Sequence, residues 1–188
     1  YGQSTFAWLP RERERLACTR IERERGDELF RKGEFAKAAA KYALCLGIDS
    51  DGNVDRSDDA MNAGGRLHAV LHCNRAACLM AEKKFQEAIA ECTAALRIHP
   101  RYMKALLRRA RCYSRLDRLE ESIAEFKRWL EMVNQARTSP ESMPLSMSPC
   151  IFDGPHEISD EDIAQVKTEL DEVTKAKARA DAAARAQA

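Results

Sequence analysis

Three stretches of this chain repeat one another in phase, and that self-similarity constrains the fold more than any other feature. Stepping 7, 9, 12, 16 and 19 residues forward from Gly26 gives Gly33, Phe35, Ala38, Tyr42 and Cys45. The same steps from Ala76 give Lys83, Phe85, Ala88, Cys92 and Ala95, and from Ala110 they give Asp117, Leu119, Ser122, Phe126 and Trp129. Small and bulky positions recur in register, as expected when each copy is a helix pair that cannot bury its apolar face alone. A small residue at Gly26, Ala76 or Ala110 lets the first helix of a pair approach the second, where Ala38, Ala88 and Ser122 face back across the gap. Phe35, Phe85 and Leu119 plug the junction after the turn. A larger side chain at either small position would push the helices apart and forfeit dispersion contacts along the pair.

The second and third copies begin 34 residues apart, the first and second 50. The surplus of 16 falls in DSDGNVDRSDDAMNAGG, whose clustered turn formers lack apolar periodicity and mark an inserted, solvated loop over about residues 49–65. Pro100 ends one repeat and opens the next. The repeats are therefore placed at 19–52, 69–102 and 103–136, with residues 1–18 as an N-terminal extension of the first helix. Residues 137–158, rich in Ser, Pro and Met, read as a linker. Ser159 with Asp162 three residues on supplies a capping-box-like start to a last helix over 159–188. Its stripe of Ile163, Val166, Leu170 and Val173 caps the apolar end that stacked repeats leave open. Beyond Lys175 that helix has almost nothing to bury and projects into solvent. The chain begins at Tyr1 rather than Met, so it reads as a piece of a longer protein.

Composition agrees with an all-helical chain: 45% apolar residues allow a core, while 8 Gly and 6 Pro in 188 residues are few. Lys and Arg total 31 against 30 Asp and Glu, so no global field attracts nucleic acid or an anionic membrane. Recognition by charge has to come from local clustering. The seven cysteines form no C-x-x-C pair and fall among apolar neighbours, which implies reduced, structural thiols and a cytoplasmic location. His68 and His72 share a helix face, but no partner motif at ligand spacing follows, and no metal is expected. No run is long enough to span a bilayer.

Local clustering does occur in MKALLRRARCYSRL, residues 103–116, where Lys104 and Arg108 stand four apart with no acid before Asp117. In stacked pairs the first helices line the inner surface, so residues in equal phase become neighbours. Asn74 lies two before Ala76 and Arg108 two before Ala110, while Arg23 lies three before Gly26. Lys104 shares the face of Arg108 one turn earlier. Three cations and an amide are thus expected to converge on one groove, as a site for an anion.

RERGDELFRKGEFAKAAAKY and LHCNRAACLMAEKKFQEAIAECTAALRIHPRYMKALLRRA resemble the tetratricopeptide modules of chaperone cofactors, over roughly residues 19–136. That resemblance implies an all-α, right-handed α-solenoid of three tetratricopeptide helix pairs plus a capping, extended C-terminal helix. It also implies an adaptor for the Glu-Glu-Val-Asp tails of the 70- and 90-kDa heat-shock chaperones. A carboxylate clamp would hold the tail's end, with Lys104 and Arg108 as its third-repeat basic pair, Asn74 as its second-repeat amide and Arg23 in place of its first-repeat Lys. Asp27 stands where the family has Asn, and an ionised carboxylate there repels the tail instead of donating to it, unless it pairs with Arg23. Phe30 and Met80 are candidates to hold the tail's Val. The phrases ALCLGID, LHCNRAAC and KALLRRARCY are similar to the repeat module of tetratricopeptide proteins that carry a J domain. No His-Pro-Asp occurs, and His99-Pro100-Arg101 lacks the Asp, so stimulation of ATP hydrolysis is not expected of these residues.

The rival reading is a scaffold whose groove accepts an internal or self peptide, such as the Ser/Pro/Met linker with Ile151 and Phe152 as anchors. No phosphate-cradling Gly loop, activated nucleophile or zincin motif is present, so an enzyme, a cofactor and a small-molecule substrate are not expected.

Overall fold

The computed structural model describes residues 9–47, 65–138 and 158–186, with side chains from Arg20 onward except at position 66. The inserted loop apart from Gly65, most of the Ser/Pro/Met linker including Ile151 and Phe152, and the two chain ends lie outside the described residues. Seven helices are present among the described residues: α1 (Leu9–Arg31), α2 (Phe35–Cys45), α3 (Gly65–Ala81), α4 (Phe85–Ile98), α5 (Met103–Arg115), α6 (Leu119–Thr138) and α7 (Asp160–Ala186). Each packs on the next along the chain, and α3 also touches α5, which makes a helix-pair solenoid closed by a terminal helix. The helices overrun the expected bounds slightly. α3 starts at Gly65, inside the expected loop, and α6 runs to Thr138, two residues past the expected third repeat.

The three plug residues Phe35, Phe85 and Leu119 are the first residues of α2, α4 and α6. Two residues before each, Gly33, Lys83 and Asp117 adopt left-handed backbone with φ of 80°, 61° and 58°. All three first helices end alike. Glu34 N donates to Leu29 O at 2.9 Å, Lys84 N to Leu79 O at 2.8 Å and Arg118 N to Tyr113 O at 3.0 Å, the six-to-one bond of a Schellman ending. Gly carries no Cβ penalty in that conformation, whereas Lys83 does. Lys83→Gly is therefore expected to stabilise the protein by about 0.5–1 kcal/mol, read as a higher urea midpoint at unchanged m.

The close approach inferred for Gly26 is present, and its partner is the Tyr42 ring. A Cβ at Gly26 would lie 2.8 Å from Tyr42 Cε1, and Tyr42 is 2% exposed with nowhere to retreat. Gly26→Ala gains about 0.8–1 kcal/mol of helix propensity but overpacks this contact at about 1–3 kcal/mol. The expected net is a destabilisation of up to about 2 kcal/mol in denaturant unfolding. In the third pair, buried Ser122 donates its hydroxyl to Ala110 O at 2.9 Å, so the small residue also satisfies a main-chain carbonyl.

Three apolar clusters run through the stack: Leu71 and Cys78 of α3 against α2, Ala76 with Ile89 and Cys112, and a larger group around Phe126 and Trp129. The last includes Ile163, Val166 and Val173 of α7, with Leu170 packed against it, so the predicted stripe does cap the solenoid. The capping box is formed reciprocally. Ser159 N donates to Asp162 Oδ2 at 3.0 Å and Asp162 N donates to Ser159 Oγ at 3.1 Å. From Thr174 onward α7 is exposed except for Lys177, which pairs with Glu120 at 2.7 Å.

Cys45, Cys73, Cys78, Cys92 and Cys112 are buried. Burial pushes the Cys45, Cys78 and Cys112 thiols up to about 11, which keeps them neutral and unreactive. Among the described residues no helix is long and apolar enough to cross a membrane, and no cluster of three metal-capable side chains occurs.

Candidate functional site

Helix spacing settles which inward residues meet. Asp27, Phe30 and Arg31 occupy successive positions on one face of α1, Asn74 and Ala77 on one face of α3, and Arg108 the matching face of α5. Together with Tyr42 of α2 they line a cleft of about 260 Å³. Ala77 matters by being small, since a longer side chain one turn below Asn74 would fill the space.

The acceptor side of this cleft is tightly held. Tyr42 Oη donates to Asp27 Oδ1 at 2.6 Å, and Asn74 Nδ2 approaches the same oxygen at 3.5 Å. Burial first, then the Asp27 hydrogen bond and charge, push the Tyr42 hydroxyl far above its ordinary range, so it remains a donor at any working pH. The pairing of Asp27 with Arg23 considered from sequence is not what forms; Tyr42, sixteen residues on from Gly26, takes the carboxylate instead.

The donor side centres on Arg108. Of the arginines on α5, Arg109 pairs with Glu125 at 2.5 Å and also donates to Thr93 Oγ1 at 3.2 Å, while Arg111 is held by Glu169. Arg108 instead donates Nη1 to Cys73 O and to Cys73 Sγ, each at 2.7 Å, and takes no carboxylate among the described residues. A guanidinium anchored on a main-chain carbonyl, with no carboxylate hydrogen-bonded to it, has the donors that an anion would take.

The remaining predicted residues are not all brought there. Lys104 is half-buried one turn before Arg108 on α5, about 6 Å along the helix axis, and does not line the cleft. Arg23 does not line the cleft; it is near enough to Cys45 of α2 to draw its thiol down, and its buried Nε makes no hydrogen bond among the described residues. Phe30 lines the cleft and stacks edge-on against Phe35 at 5.2 Å. Met80 lies elsewhere, in a second concavity further along α3, because it is six residues and about 9 Å beyond Asn74. Tyr42, Arg31 and Ala77 were not expected. Arg31 and Ala77 follow from adding one turn to Asp27 and Asn74, and Tyr42 from the step of 16 that places a bulky residue opposite Gly26.

Residues 79–137 match the family model described as tetratricopeptide repeat. The fold is a tetratricopeptide-type solenoid. Human sperm-associated antigen 1 is 34% identical over 110 residues, 58% of this chain and 11% of that protein. Human DnaJ homolog subfamily C member 7 is 30% identical over 109 residues, 58% of this chain and 20% of that protein. The chain thus spans a fifth or less of the length of these curated relatives. A special closeness to the J-domain type, expected from sequence, is not distinguished from likeness to other tetratricopeptide proteins, since sperm-associated antigen 1 is matched at higher identity. Among solved structures, the first tetratricopeptide domain of Spaghetti (RPAP3) bound to the HSP90 peptide SRMEEVD is similar in fold. Its TM-score is 0.57 at 22% identity, covering 86% of this chain and 94% of that one.

Proposed function

We propose that this module is a co-chaperone adaptor that binds the acidic C-terminal tails of the 70- and 90-kDa heat-shock chaperones in the Asp27–Asn74–Arg108 cleft. The observation that carries the reading is Arg108, fixed by Cys73 and without a carboxylate partner among the described residues. Lys104, one turn away on the same helix, adds charge for a second carboxylate. Phe30 offers an apolar wall to the residue before the chain end, and Arg23 strengthens the field from α1 without touching the ligand. Met80 then belongs to residues further up the tail. Support also comes from the similar fold of a domain solved with the HSP90 peptide SRMEEVD.

A Glu-Glu-Val-Asp peptide titrated calorimetrically is expected to bind at least about tenfold more tightly as the free acid than as the C-terminal amide, the scale of one charge-assisted hydrogen bond. Equal affinities would reject recognition of the chain end. One observation favours the second reading, a groove for an internal or self peptide: the Asp27 carboxylate stands in the cleft and opposes a terminal carboxylate. On that reading the amide binds as well as the acid.

A further inference from the structure

The groove does not end at the clamp cleft. Along α3 the inward face continues from Asn74 and Ala77 to Met80, and along α5 from Arg108 to Arg111 and Arg115, all at helical spacing. These further residues line a second, larger concavity of about 990 Å³, with Phe85 at the start of α4. One wall of it is not a repeat at all. Glu169, Glu172 and Val173 of α7 complete it. Glu169 holds Arg111 by two parallel bonds, from Nε to Oε2 and from Nη2 to Oε1, both at 2.8 Å. Gln165 Nε2 donates to the same carboxylate at 3.2 Å and steadies it.

We propose that α7 is a built-in competitor: Glu169 occupies Arg111 as an acidic side chain of a bound peptide would, so that a ligand reaching past the cleft must displace it. The placement follows from the reading of the groove as a peptide site, on which the inference rests. A chain extended from Arg108 meets Arg111 next on α5, where Glu169 already takes the Nε–Nη2 edge of the guanidinium and neutralises its charge. The apolar stripe of Ile163, Val166 and Val173 keeps α7 docked independently of this pair, so the competition works through the Glu169 side chain and the helix need not detach. Occupation of Arg111 lowers the apparent affinity for acidic ligands by the fraction of molecules in which the pair is open.

The decisive comparison uses a peptide that the clamp cannot read, an N-acetylated, C-amidated tetraglutamate, titrated into 15N-labelled wild type, Glu169→Gln and Glu169→Gln with Arg111→Gln. The neutral isostere keeps the helix and its packing, checked by circular dichroism. At least about tenfold tighter binding to Glu169→Gln, read from the backbone amides around the concavity and lost in the double variant, is the expected result. Equal affinity of wild type and Glu169→Gln, including no binding to either, overturns the competitor. Because this peptide has no C-terminal carboxylate, failure of the clamp is read separately, from the acid-against-amide comparison.

Discussion

An Arg108→Ala variant retains its helical fold but loses about 2–4 kcal/mol of affinity for a free-acid tail peptide, the penalty for truncating a central arginine anchor. The size follows from the position of this side chain. Its Nη1 is committed to Cys73 O and Sγ, and the residue lines the cleft with no carboxylate hydrogen-bonded to it among the described residues. Arg108→Lys keeps the charge yet gives up the planar fork, so it recovers only part of the loss. Arg109→Ala is the matched control. That residue is spent on Glu125 and Thr93, and its removal lowers stability while leaving tail affinity of the folded protein unchanged. Isothermal titration of the three variants, with urea unfolding alongside, separates the two effects.

The second large effect runs in the opposite direction. Asp27→Asn tightens tail binding by about 1–3 kcal/mol, the scale of a charge-assisted hydrogen bond together with relief of repulsion. An amide can keep the Tyr42 interaction by accepting through Oδ1 at the 2.6 Å contact, and it places an Nδ2 donor where the cleft now presents a second carboxylate oxygen. Affinity unchanged in Asp27→Asn would show that this wall of the cleft never meets the tail.

The architecture was legible because it follows from period and residue size. A 34-residue repeat with small residues in phase leaves few alternatives to stacked helix pairs, and Gly26, Ala76, Ala110 and Ser122 pack as their sizes require. The meeting of Asn74 and Arg108 was legible for the same reason, since equal phase on successive first helices places them side by side, whereas Asp27, one residue after Gly26, came from the family resemblance. What failed was anything that depended on distance along a helix or on side-chain direction. Met80 lies six residues and about 9 Å beyond Asn74 along α3, and Arg23, one position off the phase of Asn74 and Arg108, does not line the cleft. Tyr42 escaped notice as a site residue because it belongs to a second helix, and only the absence of a side chain at Gly26 lets its ring and hydroxyl reach Asp27. The acid partners that sort the α5 arginines, Glu125 and Glu169, come from α6 and α7, 16 and 58 residues away, and no local pattern reveals them.

The central claim is that Arg108 and Asn74, carried by different helix pairs, together receive a peptide's free end. Side-chain NMR of 15N-labelled protein during titration with a Glu-Glu-Val-Asp peptide tests it most directly. Saturable shifts of Arg108 Nε and Asn74 Nδ2 with the free acid, absent with the amide, are the predicted result. Binding that leaves both signals unmoved would contradict it.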